Sequence, residues 1–189
     1  MSDSITSDSA VRSTMLDSNK LLRFEQITLQ HLNAAYNLAR WLLRNHHDAE
    51  DVVQDAYLRA FRFFDTFDGS DARAWLLAIV RNCCRTALEQ GGKRSAMAEF
   101  DERTHIDALS PDPETDALRR SDIDSLRACI EDLPDEYREV IVLRELEQLS
   151  YKEIATAAGV PAGTVMSRLS RARVRLQQCI STRGKVMKL

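Results

Sequence analysis

Four arginines, Arg168, Arg171, Arg173 and Arg175, share a stretch with Val165, Leu169, Ala172 and Leu176. The apolar set recurs at helical spacing and makes a core stripe, and the arginines fall off it. Guanidinium groups on one helix face suit phosphate contact, and arginine also pairs bidentately with guanine in the major groove. From Gly159 to Leu189 there are seven Lys or Arg and no Asp or Glu, in a chain of net charge -3. That local excess is the footprint expected for contact with a polyanion. A basic amphipathic helix taken alone is more often a solvated face, so the elements that hold it decide the reading.

Those elements are written just upstream. Ser150 with Glu153 forms a capping box, in which the hydroxyl accepts from the backbone three residues on and the carboxylate reaches back. Ile154, Ala155 and Ala158 make one apolar side of a short helix. Gly159 can take the left-handed conformation that ends it, and Pro161 suits the first turn of the next. A short helix, a Gly-containing turn and a basic second helix make a helix-turn-helix, whose second helix can enter the major groove.

A second candidate surface lies on 48–64. Ala49, Val52, Val53, Ala56, Tyr57, Ala60, Phe61 and Phe64 follow helical spacing as a buried face. The outer face starts acidic at Asp48, Glu50, Asp51 and Asp55 around Gln54, and ends basic at Arg59 and Arg62. Complementing the helix dipole explains this order, and so does docking against a basic partner helix. His46 and Glu50 stand at a metal-ligand spacing with no third ligand, which favours a polar turn between helices.

Downstream, Phe64 to Asp71 carries turn residues and two aromatics, followed by a helix from about Ala72 to Gln90. Trp75, Leu76, Ile79, Cys83 and Leu88 are candidates for its buried side, and Arg73, Arg81, Asn82 and Arg85 supply polar groups. Aromatics beside Arg and Asn can hold unstacked bases, although Phe64, Phe67 and Trp75 can equally close a small core. For Trp75 the core reading is favoured.

The totals set the frame. Of 189 residues, 44% are apolar and 29% charged, and six Gly with four Pro leave little room for a turn-rich β protein. The composition favours an all-α fold. No apolar run is long enough to span a bilayer, so no membrane insertion is expected. Residues 1–18, rich in Ser and Asp without an apolar signal core, read as a disordered leader of a cytoplasmic protein. Cys83, Cys84, Cys129 and Cys179 form no C-x-x-C pair, and they read as small buried or half-buried apolar residues.

In order, Leu21 to Asn45 reads as one helix, with Leu32, Ala35, Tyr36, Ala39, Leu42 and Leu43 on one side. His46-His47 interrupts it, and Asp48 is the expected N-cap of the next. Gly91-Gly92 ends the first unit. From Glu99 to Asp124 there are nine acids against three arginines, with two prolines and no apolar stripe. This reads as a flexible acidic linker between two small helical domains. The second starts near Ser121 with a short helix over Ile123 to Leu133. It continues with a helix from Asp135 to Gln148, and its core is Ile130, Val140, Ile141, Ile154, Val165 and Leu169.

This layout resembles the extracytoplasmic-function (group 4) sigma factors of the sigma-70 family, over roughly Leu21 to Ile180. The 48–61 segment Asp-Ala-Glu-Asp-Val-Val-Gln-Asp-Ala-Tyr-Leu-Arg-Ala-Phe is similar to the family's region 2.2. The 74–82 segment Ala-Trp-Leu-Leu-Ala-Ile-Val-Arg-Asn is similar to regions 2.3–2.4. The segment from Leu133 to Arg144 is similar to the start of region 4, and Ser150 to Ala155 with Gly163 to Arg173 to its helix-turn-helix.

The resemblance implies a non-enzymatic protein that binds core RNA polymerase, directs it to promoter DNA and melts the −10 element, without cofactor or metal. It divides the chain into a leader (1–18), region 2 (19–92), a linker (93–120), region 4 (121–182) and a basic tail (183–189). Asp48, Glu50, Asp51, Gln54 and Asp55 would meet the clamp coiled coil of the largest polymerase subunit, which tips the acidic face towards docking. Region 4 would meet the flap of the second largest subunit. Phe64, Phe67, Arg73, Arg81 and Asn82 would take the −10 element, with a flipped base in a loop pocket.

At the −35 element, Met166, Ser167, Ser170 and Arg171 would contact base edges or the groove. Thr164 would stand at the helix start, and Arg168, Arg173 and Arg175 would serve phosphates. Arg171 is the first choice for base readout. An anti-sigma factor is a further implied partner. Met166 replaces a Lys or Arg common in the family, and Thr86 an Asp. Two other readings remain: a stand-alone helix-turn-helix regulator and a sigma-mimicking decoy for an anti-sigma factor. The first explains neither the acidic 48–55 face nor the two modules, and the second has no need of a basic recognition helix. No phosphate-cradling Gly loop, Ser/His/Asp set or metal cluster supports an enzyme.

Overall fold

The structure is a computed structural model that describes residues 18–91 and 123–186. The leader, the linker and the end of the basic tail lie outside the described residues. Every regular element among those described is helical. In the first module, α1 covers 18–28 and a 3-10 turn Leu29–His31 leads into α2, Leu32–Leu43. α3 spans His46–Phe63 and α4 spans Ala72–Gly91. The second module has α5 over 123–131, α6 at Asp135–Ile141, α7 at Tyr151–Ala158 and α8 at Ala162–Val186.

Two local expectations are corrected. The helix expected over Leu21 to Asn45 is broken at Leu29–His31. The Thr28 carbonyl, which a continuous helix would bond to its own backbone, instead accepts from the Tyr57 hydroxyl at 3.0 Å. The N-cap of α3 is Asn45, not Asp48: Asn45 is extended and its Oδ1 accepts from the Asp48 amide at 3.2 Å. Side-chain capping by Asn satisfies one orphan amide and fixes the helix start three residues earlier.

α6 also ends sooner than Gln148. It widens into a π turn over Val142–Leu146, closed by the Glu147 amide on the Val142 carbonyl at 3.0 Å. Gln148 then takes a left-handed backbone with φ 53°.

The apolar stripes are buried in large part, although Leu32 of α2 and Ile123 and Leu126 of α5 are exposed. Ala49, Val52, Val53, Ala56 and Ala60 of α3 are buried, as are Ile130, Val140, Ile141, Ile154, Val165 and Leu169 of the second module. On α4, Leu76 and Cys83 are buried, but Leu88 is exposed, and the buried Leu77, Val80 and Cys84 lie outside the expected stripe. The reason is tertiary. α4 packs against α2 and α3 on one side and against α7 on the other. The two modules are therefore in contact, and one apolar core runs from Phe24 and Leu38 through α4 to Leu143 and Ile154.

The cysteines need a correction as well. Cys83 and Cys84 are free and buried, but Cys129 and Cys179 form a disulfide between α5 and α8. Fifty residues separate the two cysteines, and no local spacing signals such a pair.

Candidate nucleic-acid interface and docking face

The helix-turn-helix is assembled by the local signals its sequence carries. The Ser150 amide donates to Glu153 at 2.6 Å and the Glu153 amide donates to Ser150 Oγ at 3.2 Å, so both halves of the capping box are made. Gly159 closes α7 with φ 65°, a conformation that costs glycine nothing. The Pro161 carbonyl accepts from Thr164 and Val165 at 2.9 and 3.2 Å and starts α8. Val165, Leu169 and Ala172 are buried, which turns the opposite face of α8 outward.

On that outer face Met166, Ser167, Ser170 and Arg171 are exposed, and Thr164 is half-buried. Ser167 bonds back to the Thr164 carbonyl at 3.0 Å. The other arginines are held by their own module. Arg168 pairs with Glu136 at 2.9 Å, and Arg173 pairs with Glu145 at 2.7 Å. The bond to Glu145 holds the Arg173 guanidinium above its ordinary range. Arg175 lies 5.3 Å over the Tyr137 ring. Arg171 has no ion-pair or hydrogen-bond partner among the described residues.

The acidic face of α3 is open. Asp48, Glu50, Asp51, Gln54 and Asp55 are all exposed. Glu50 reaches His46 at 3.5 Å and Asp55 reaches Arg59 at 2.9 Å, each one turn along the helix. Asp51 has no ion pair among the described residues. Glu50 and Gln54 also line a groove of about 550 Å³ between α2 and α3, together with Leu32, Tyr36, Val53 and Tyr57. Burial pushes the Tyr57 hydroxyl up to about 12, so it stays a proton donor to Thr28 at any ordinary pH.

The residues matched to the −10 element are placed differently. Phe64 is buried, with its ring 5.4 Å from Phe24 and 6.2 Å from Phe67, and offers no face to a base. Phe67 is half-buried, with its ring centre 4.9 Å from that of Trp75 and tilted to it, so the aromatics close the core, the reading favoured for Trp75. Asn82 is exposed on α4.

Arg81 donates to Glu139 of α6 at 2.5 and 3.4 Å, and Arg73 pairs with Glu147 beyond the π turn. Both arginines are thus occupied by carboxylates of the second module, a pairing that sequence reading missed because it joins segments 58 and 74 residues apart. Among the described residues no group of three or more metal-ligating side chains comes together, and no helix is long and apolar enough to cross a membrane.

The described residues are all helical and form two modules, one carrying a capped helix-turn-helix that leaves Arg171 open, an arrangement typical of DNA-binding proteins. Comparison with known proteins narrows the class. Residues 27–94 match the sigma-70 region 2 family and residues 123–176 match sigma-70 region 4. The ECF sigma-E factor of Escherichia coli K12 is 33% identical over 92% of this chain and 93% of its own length. The ECF factor SigE of Mycolicibacterium smegmatis is 32% identical over 87% of this chain, which spans 64% of that longer relative.

Among solved structures, the Bartonella quintana sigma factor RpoE, in complex with the anti-sigma factor NepR, superposes with a TM-score of 0.70. It is 30% identical, over 84% of this chain and 97% of that one. CnrH in complex with the cytosolic domain of CnrY gives 0.64 at 25% identity, over 91% and 96% of the chains. The chain belongs to the extracytoplasmic-function sigma factors of the sigma-70 family. It is an alternative sigma factor, a non-enzymatic subunit that binds core RNA polymerase and directs it to promoters.

Proposed function

We propose that the two modules divide promoter recognition as follows, in a cytoplasmic protein held in check by an anti-sigma factor. The first module, about 19–92, docks on the clamp coiled coil of the largest polymerase subunit through Asp48, Glu50, Asp51, Gln54 and Asp55. The open carboxylates and the groove beside them suit a basic helix. The second module, about 121–182, binds the −35 element with α8 and meets the flap of the second largest subunit. Arg171 reads a base edge, with Met166, Ser167 and Ser170 beside it. Thr164, Arg168, Arg173 and Arg175 serve the backbone, a sorting that follows from phosphate contacts positioning and base contacts specifying. Met166 lacks the donor of a Lys or Arg, so this position contributes apolar contact alone.

At the −10 element, Phe67, Asn82, Arg73 and Arg81 face DNA, while Phe64 supports the loop from the core. Arg73 and Arg81 reach phosphates only after Glu147 and Glu139 let go, so promoter opening goes with separation of the modules. The observation that carries this reading is the contrast between the open face of α8 and the carboxylate-bound arginines of α4. The complex of the Bartonella quintana sigma factor RpoE with the anti-sigma factor NepR, among the structural neighbours, supports the inhibitory partner.

The test is run-off transcription with purified core enzyme on a library of promoter fragments, with start-site mapping. The reading expects start sites that appear only when the chain is added, at promoters sharing −35 and −10 motifs. Sequence-specific DNA binding without core and no transcript with it would favour a stand-alone regulator.

A further inference from the structure

The disulfide between Cys129 and Cys179 joins helices that the function reading does not need to cross-link. Its Cα atoms are 5.8 Å apart, and it ties α5, which leads in from the linker side, to the C-terminal half of α8. One turn further along both helices, Arg183 pairs with Asp132 at 2.8 Å. The covalent link and the ion pair are adjacent, and an exposed ion pair holds little by itself. Around them Ile130 and Leu133 are buried but Ile123, Leu126 and Ile180 are exposed, so the bond reinforces a contact that is apolar on one side only.

The chain's other two cysteines make a useful contrast. Cys83 and Cys84 are buried in α4 with no disulfide, and burial pushes the Cys84 thiol up to about 12. A thiol of that kind is inert as a nucleophile. Cys129 is 1% exposed, whereas Cys179 is half-buried and reachable. Arg175 and Arg183 stand one helical turn to either side of Cys179. A protein that works with polymerase in a reducing cytoplasm keeps its thiols reduced, and the disulfides that do form there are typically transient and redox-sensing.

We propose that Cys129 and Cys179 form a reversible thiol–disulfide switch that sets the stability of the second module, and with it −35 binding. The second half of this statement rests on the assignment of that module to the −35 element. Oxidation by a peroxide balances in two steps. The Cys179 thiolate attacks one peroxide oxygen, the O–O bond breaks, and the departing hydroxide takes a proton and leaves as water. Cys129 Sγ then attacks the sulfenic sulfur, the S–O bond breaks, and a second water leaves. Two electrons pass from the two sulfurs to the peroxide. A dithiol reductant of the thioredoxin class reverses this: one thiolate attacks Cys179 Sγ and displaces Cys129 as a thiol, and its second thiol resolves the mixed disulfide.

The full chain is equilibrated in glutathione buffers from fully reduced to fully oxidised, and separately with hydrogen peroxide. It is then alkylated under denaturing conditions, mapped by mass spectrometry, melted, and assayed by run-off transcription with core. Cys129 and Cys179 should lose alkylation together while Cys83 and Cys84 keep it. Reduction should lower the melting midpoint of the wild type by about 10 °C, and should leave Cys179→Ser and Cys129→Ala unmoved. Transcription from a −35-dependent promoter should be stronger for the oxidised wild type, with no redox dependence in either variant.

Full alkylation of both cysteines after oxidant, or a midpoint indifferent to reduction, overturns the switch. A midpoint shift with unchanged transcription overturns its coupling to −35 binding. A midpoint shift with no transcript in either state supports the stability switch and overturns the promoter assignment instead.

Discussion

α4 and α8 both carry arginines on a polar face, yet the two faces are in different states. On α8, Arg168 and Arg173 pair with acids of their own module, and Met166, Ser167, Ser170 and Arg171 stand open. On α4, Arg73 and Arg81 are bound by Glu147 and Glu139 across the module boundary. On the reading proposed above, the first face offers Arg171 to a duplex as it stands, whereas Arg73 and Arg81 become free only if the modules part. The two helices thus carry an open site and a latent one, and they differ in whether the carboxylates that hold their arginines belong to the same module or to the other.

The largest way to break this contrast is to remove the support of α8. Leu169 is 1% exposed, and Leu169→Ala should destabilise the second module by about 2–5 kcal/mol. Both tryptophans, Trp41 and Trp75, lie in the first module. Helix loss by circular dichroism should therefore begin at a lower temperature than the tryptophan transition. Coincident transitions would mean that the modules unfold as one. The docking face comes next: Asp51→Lys with Asp55→Lys should weaken core binding more than about tenfold while leaving the melt unchanged. Unchanged affinity for core would remove α3 from the interface.

Smaller effects sharpen the sorting within α8. Arg171→Ala should cost about 1–3 kcal/mol of discrimination at one −35 position. Arg175→Ala should weaken binding to all sequences alike and reduce the salt slope by about one. Identical sequence preferences for the two variants would contradict the division between base and phosphate contacts.

The smallest concerns Glu147. Burial holds its carboxyl above the usual carboxylate range, against the pull of Arg73. A carboxyl that grips its proton more tightly when packed costs the packed state stability as pH rises from its ordinary value through the raised one. Glu147→Gln should thus melt slightly higher than the wild type at pH 7, and the gap should close as the pH approaches the ordinary carboxylate range. A lower midpoint at pH 7 would show that the ion pair outweighs the burial.

What was legible beforehand was local. The capping box, the Gly159 stop and the Val165–Leu169–Ala172 stripe each depend on residues within a turn or two, and each is made as written. The break at Leu29–His31 has no Gly or Pro to announce it, because a hydroxyl from α3 takes up the Thr28 carbonyl. Asp48 has a side chain suited to an N-cap, but the extended backbone that a cap needs lies at Asn45. The Arg81–Glu139 pair, the two-sided burial of α4 and the Cys129–Cys179 bond are contacts between distant segments, which periodicity does not encode. The site was legible in the same measure: the exposed faces of α3 and α8 could be drawn from spacing, but the engagement of Arg73 and Arg81 could not.

The measurement that bears most directly on the latent site is a charge swap at Arg81 and Glu139. Arg81→Glu alone should lower both the melting midpoint of the free chain and run-off transcription. Adding Glu139→Arg rebuilds the ion pair with its signs exchanged. The midpoint should recover while transcription stays low, because the DNA-facing position still carries a carboxylate. Recovery of both together would contradict the account, since Arg81 would then serve only to hold the modules in place.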